Sequence, residues 1–272
     1  KHIQSYNQEV GTESERRTSL ATPLEMVISD NGKDLYVAGF GSQKIGVYKT
    51  KQLDRDTFVP NENNQISLSG GGPSGLVLDD KNNRLFVMTR FDNSVAMINT
   101  NNKREVAKIK LFNPEPESLV KGRPYLYDAA LTSSRGDSSC AGCHIFGDMD
   151  HLAWDLGNPD GSIVANPIKY VPFFEALPEF TRPTFNPMKG PMTTQSFRGM
   201  AGNGPMHWRG DRTGASRDAN ESIEEQAFED FNVAFTGLLG RSAPLTDEQM
   251  QEFTDYALHF TYPPRQIRRL DN

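Results

Sequence analysis

PLEMVISDNGKDLYVAGFGSQKIGVYKT (Pro23–Thr50) and PSGLVLDDKNNRLFVMTRFDNSVAMINT (Pro73–Thr100) align without a gap at an offset of fifty residues. Pro23 matches Pro73, Val27 matches Val77, Asp30 matches Asp80, and Leu35-Tyr36-Val37 matches Leu85-Phe86-Val87. Further on, Ile45 matches Val95, Val47 matches Met97 and Thr50 matches Thr100. Each unit alternates apolar and polar residues in three short runs separated by Asn/Asp/Gly-rich punctuation, the pattern of antiparallel strands joined by tight turns. A fourth strand is expected after each unit, at Gln65–Ser69 and at Glu105–Leu111.

Four short strands recurring at this period predict β-propeller blades. The units resemble bacterial propeller blades of the pattern P-x-x-V-x-x-D, L-Y-V, V-x-V-I-D. About two blades are present, whereas a closed propeller needs at least four. The rest of a longer chain, or other subunits, would complete the ring. The N-terminus, Lys1-His2-Ile3, has no apolar signal region, so an exported chain would start after processing or partway along a longer one.

Composition narrows the partners. The net charge is −6 and no Lys/Arg cluster forms a phosphate-binding stripe, which argues against nucleic acid. No apolar run is long enough for a membrane-spanning helix.

Beyond the repeats the text changes character. The only two cysteines of the chain fall in Ser139-Cys140-Ala141-Gly142-Cys143-His144. C-x-x-C-H is the attachment sequence of c-type haem: two thiols three positions apart add to the two vinyl groups, and the next histidine is held beneath the iron. A thioredoxin-like pair would want a βαβ setting, and a zinc site would want a second pair of strong ligands. Cys140 and Cys143 are therefore read as haem c anchors and His144 as the proximal ligand. Helical spacing is read before the motif, in GRPYLYDAALTSS from Gly122, and near the end, in TDEQMQEFTDYALHF (Thr246–Phe260) with Thr246 as N-cap. The expected architecture is multidomain β + α: a partial β-propeller at 1–115, then an all-α, mono-haem cytochrome c domain with long loops at 116–272.

Three segments carry a more specific likeness: SCAGCHIFGDMDHLAWDLGNPDG (Ser139–Gly161), NPMKGPMTTQSFRGMAGNGPMHWRGDRTG (Asn186–Gly214) and FEDFNVAFTGLLG (Phe228–Gly240). Together they resemble the haem domain of propeller-fused c-type cytochromes, and more distantly the di-haem cytochrome c peroxidases and methylamine-utilisation di-haem oxidases. The resemblance implies that Ser196-Phe197-Arg198 and Pro205-Met206-His207-Trp208 lie near the haem, with Arg198 a candidate for a propionate. The chain departs from the peroxidases in having one C-x-x-C-H where they have two. At the position where those relatives carry a Met or Tyr ligand it has Phe235, which cannot bind iron.

The distal ligand is left open between Met192, in the Gly-Pro loop KGPMTTQ, and Met206 or His207, with Met200 as a further methionine. Trp154 and Trp208 are expected to wall the haem edge. Asp148, Asp150 and Asp155 either offer oxygen ligands to Ca²⁺ or form a solvated Asx-turn loop. His151 and His259 read as structural or exposed. The expected function is electron transfer with a redox partner protein, in the periplasm or outside the cell. The alternatives are a peroxidase- or oxidase-like enzyme with an open distal site, and a haem-bearing scaffold or sensor.

Overall fold

A computed structural model describes residues 13–165, 184–214, 220–264 and 267. The two repeats fold as two four-stranded antiparallel meanders. The first is β1 (Pro23–Ile28), β2 (Asp34–Gly39), β3 (Lys44–Lys49) and β4 (Gln65–Ser67); the second is β5 (Pro73–Asp79), β6 (Arg84–Thr89), β7 (Ser94–Asn99) and β8 (Arg104–Lys110). Their registers repeat as well. Val27 faces Tyr36 and Asp34 faces Lys49 in the first sheet, while Val77 faces Phe86 and Arg84 faces Asn99 in the second.

The turns supply the reason. Gly32, with φ +69°, closes the first β-turn, and Asn83, with φ 54°, closes the second, one position later in the repeat. Gly pays nothing for that conformation and Asn pays little. The periodicity ends at the fourth strands. A short helix, α1 (Thr50–Asp54), and a 3₁₀ turn at Glu62–Asn64 intervene before β4. β8 follows β7 directly, through a turn at Lys103 with φ 56°.

The sheets stack face to face. Tyr36, Ala38, Ile45, Val47 and Ile66 of the first interlock with Leu85, Val87, Ala96 and Ile98 of the second, all nearly inaccessible to solvent. At about 25 cal/mol per Å² of apolar area removed from water, this layer is the main source of stability of the sheet pair. The predicted helix before the C-x-x-C-H motif is present as α2 (Glu117–Tyr127), followed by α3 (Ala129–Thr132). Asp128 caps α3, accepting from Leu131 N–H at 3.1 Å, and also accepts from the Gln43 side-chain amide. A Cβ on Gly41 would press on the Tyr127 carbonyl at 2.9 Å. Only glycine lets the helix end come this close to the sheet.

The chain divides into two compact units. Of the described residues, one takes those up to Gly142 together with Ala234–Pro244, and the other takes Cys143–Val233 and those from Leu245. The division thus falls inside the C-x-x-C-H motif, whereas the expected border, set where the strand repeats end, is 115/116.

The second unit corrects the expectation of an all-α domain. Its long loops are tied by two short antiparallel ladders: β9 (Ala153–Asp155) with β12 (Pro191–Thr193), and β10 (Val164–Ala165) with β11 (Thr184–Phe185). Segments this poor in helical periodicity meet their backbone hydrogen-bonding needs by pairing instead. The helices are α4 (Ile223–Glu229) and α6 (Asp247–Leu258), flanking α5 (Val233–Gly237), whose Phe235 belongs to the first unit. Capping boxes start α4 (Ser222 with Glu225) and α6 (Thr246 with Gln249), the latter at the predicted N-cap. Met250, Phe253, Tyr256 and Ala257 form the buried stripe of α6, and Phe253 meets Phe228 of α4 edge-on at 5.0 Å. Among the described residues no helix is long and apolar enough to cross a membrane.

Candidate haem-attachment site

Cys140–Gly142 forms one 3₁₀ turn, with Gly142 N–H donating to the Ser139 carbonyl at 2.9 Å, and Cys143 and His144 follow directly. No disulfide joins the two cysteines. Burial, reinforced by the nearby Asp150 charge, pushes the Cys143 thiol up, so at neutral pH it stays protonated. A nucleophilic redox cysteine needs the opposite shift.

His144 is held from two sides. Its Nδ1–H donates to the Gln195 carbonyl at 2.7 Å, and its ring packs on Phe197 at 4.4 Å between centroids. Burial lowers its pKa, which outweighs the opposing effects of the Gln195 carbonyl and Asp150. The imidazole is therefore neutral, with Nε2 carrying the lone pair. Behind it, Phe197 N–H donates to the Gly147 carbonyl at 2.9 Å, and Phe197 packs edge-on against Phe228 and Phe260. Gly147 has φ +73°, and a Cβ there would overlap the Phe260 ring.

In the residues that follow this histidine, apolar side chains stand open to solvent: Ile145 (45% exposed), Phe146 (53%), Met149 (40%) and Leu152 (54%). A run of this kind calls for an apolar partner.

The other sequence candidates distribute as follows. Met192 lies in β12 opposite Trp154 of β9, and the Trp154 indole N–H donates to Asp150 at 2.7 Å. Trp208 is 62% exposed. Arg198 is committed elsewhere: its Nε donates to Asp148 at 2.9 Å and its Nη1 to the Thr261 carbonyl at 3.2 Å. The three aspartates do not converge. Asp148 pairs with Arg198, Asp150 accepts from Trp154 and from Leu152 N–H, and Asp155 accepts from Gly157 N–H. Among the described residues no group of three His, Cys, Asp or Glu gathers to hold a metal ion. His151 and His259 are exposed. Met200 and Met206 are half-buried.

His207 has φ +67° and gives its Nδ1 to Asp211. Its ring meets Phe231 edge-on at 5.3 Å, and the Arg212 guanidinium covers the same Phe231 ring at 5.1 Å. Burial works against the Asp211 charge, but the bonds and charges of His207, Arg212 and Arg209 win, taking its pKa down to about 2.

Sequence reading missed what surrounds this pair. Burial lowers the Lys189 pKa, and the Arg212 and Arg209 charges lower it further. Arg209 donates through Nη2 to the Asn186 carbonyl at 3.0 Å, while its buried Nη1 has no hydrogen-bond acceptor among the described residues. The R-G-D-R spacing at 209–212 was the available signal. A buried, unsatisfied guanidinium nitrogen beside two other cations calls for an anion.

No protein-family model and no curated protein matches the chain. Among solved structures, hydrazine synthase of Kuenenia stuttgartiensis aligns at 16% identity and TM-score 0.29, over 39% of this chain and 26% of that one. The periplasmic gluconolactonase of Pseudomonas aeruginosa aligns at 17% identity and TM-score 0.31, over 39% of this chain and 32% of that one. The chain thus matches about a third or less of the length of either structure.

Proposed function

We propose that this protein is an exported c-type cytochrome that transfers electrons through one haem bound covalently at Cys140 and Cys143. The observation that carries the reading is the His144 Nδ1–Gln195 bond, because ligating histidines characteristically give their second nitrogen to a carbonyl or carboxylate. Attachment is a balanced addition: each thiol sulfur bonds to one vinyl carbon, its hydrogen goes to the other, and no oxidant is needed. When bound, the haem supplies a one-electron ferric/ferrous couple.

The chain's own residues hold, orient and dry that group. Cys140 and Cys143 anchor it, and Ile145, Phe146, Met149 and Leu152 offer it apolar surface. Arg209, with Lys189 and Arg212, is the better partner for the propionates, since Arg198 already answers Asp148 and Thr261. The Gln195 carbonyl meets the Nδ1 edge of His144, which would leave Nε2 for the iron. Met192, three residues earlier on the same stretch, would then line the proximal side. On the other side His207 would be the residue to hold the iron. Its Nδ1 is taken by Asp211, which leaves Nε2 for the metal, in the same way that Gln195 orients His144. Two imidazoles, without a thioether to raise the potential, suit electron transfer at a lower potential than a Met/His iron.

The paired sheets are blades of a propeller, and the haem unit is the part of the chain that exchanges electrons with a redox partner protein. Haem c attachment outside the cytoplasm fits a periplasmic or extracellular location.

Intact-mass measurement of protein made in a haem c-competent host tests the core of this. The expected result is the polypeptide plus one haem, with the addition lost in Cys140→Ser/Cys143→Ser. An unmodified mass from that host, or zinc bound at the two sulfurs, would overturn it.

A further inference from the structure

Each strand has two faces, and the fifty-residue offset reverses which face of the repeat is covered. In the first sheet Val27, Tyr36, Ala38, Ile45 and Val47 point at the second sheet. Their repeat equivalents, Val77, Phe86, Met88, Val95 and Met97, lie on the far side of the second sheet, because Leu76, Leu78, Leu85, Val87, Ala96 and Ile98 fill its inner side. The far side is continuous. Phe86 stands between Val77 and Met97, and Val95 between Met88 and Ile109. Ile45 and Val47 are 0% and 5% exposed, whereas Val77 and Ile109 are each 67% exposed.

The complementary half of the joint is open along β1, while Val37 of β2 on the same side is only 8% exposed. The equivalents of Leu76, Leu78, Leu85 and Val87 are Met26, Ile28, Leu35 and Val37, on the outer side of the first sheet. Leu20 fills the space above Gly39 at one end of that side, but Leu24, Met26 (61%) and Ile28 (50%) remain exposed.

The molecule therefore displays one half of the interface it already uses internally and, along β1, the edge of the other, on opposite sides of the stack. We infer that the outer face of the second sheet, centred on Val77, Phe86 and Met97, binds the outer face of the first sheet, around Met26 and Ile28, of a second copy of this chain. Such a head-to-tail contact uses two different surfaces, so it propagates to a ring or an open stack rather than stopping at a symmetric dimer.

Sedimentation velocity of the full chain across the micromolar range tests it. The expected result is a mass above the monomer that rises with concentration. Val77→Glu spoils one surface and Met26→Glu the other, both at exposed positions, so circular dichroism should match the wild type. Each variant alone should be monomeric. An equimolar mixture should recover a dimer, because each variant retains the surface the other has lost. A wild-type monomer throughout, self-association that survives either substitution, or a mixture that stays monomeric would each overturn the inference.

Discussion

Nδ1 of His144 and the carbonyl oxygen of Gln195, fifty-one residues apart in sequence, are 2.7 Å apart in the fold. A carbonyl can only accept, so the proton sits on Nδ1 and the Nε2 lone pair is free. The same logic applied to Asp211 and His207 makes the two proposed iron-binding histidines testable one at a time.

His207→Ala should open the sixth coordination position. The ferric spectrum is expected to move from low spin to high spin, and carbon monoxide should bind the ferrous form rapidly. Met192→Ala and Met206→Ala should leave the low-spin spectrum in place, and the wild type should lack the far-red thioether–iron band. A thioether band abolished by Met192→Ala would reassign the ligand.

Asp211 is a carboxylate whose pKa falls from 3.8 to about 2 on folding. A depressed acid contributes stability above its unfolded pKa and loses it as the pH drops through the folded value. Its side chain is 15% exposed. Asp211→Asn should therefore cost about 2 kcal/mol between pH 5 and 8, with the gap to wild type closing toward pH 2. Urea titrations at several pH values measure it.

Asp128 behaves in the opposite sense. Burial raises its pKa, against the Gln43 amide and the α3 N–H groups that favour the charge. An acid with a raised folded pKa stabilises the fold most below its unfolded value, and that contribution is lost as the pH rises through the folded one. Asp128→Asn keeps an oxygen for the cap, and the Gln43 amide can turn to accept. The variant should match or exceed wild-type stability at pH 7 and lose that advantage near pH 4. Asp128→Ala strands Leu131 N–H and Gln43 and should cost about 1–2 kcal/mol at either pH.

Gly147→Ala combines a left-handed backbone with a Cβ overlapping the Phe260 ring. It should destabilise the second unit by more than about 2 kcal/mol. Because Gly147 accepts from Phe197 N–H behind His144, the yield of haem-loaded protein should fall as well, read as haem absorbance per mole of protein.

The sequence by itself determined the local structure: the eight repeat strands, the α6 cap at Thr246, and the thiol pair with its histidine. Each depends on a few adjacent residues, through alternation, turn geometry or spacing within one turn of chain. It also exposed the limit of its own period, since strands three and four of each repeat are joined by connections of different length. Only the tertiary structure decided that Gln195 orients His144, that Asp148 takes up Arg198, and that β9 pairs with β12 in a domain expected to be helical. It alone decided which face of each blade is covered. Those choices join positions tens of residues apart, where closing a loop costs little more for one partner than for another. The winner is set by whichever packing leaves the fewest buried polar groups unsatisfied, and no local pattern records that outcome.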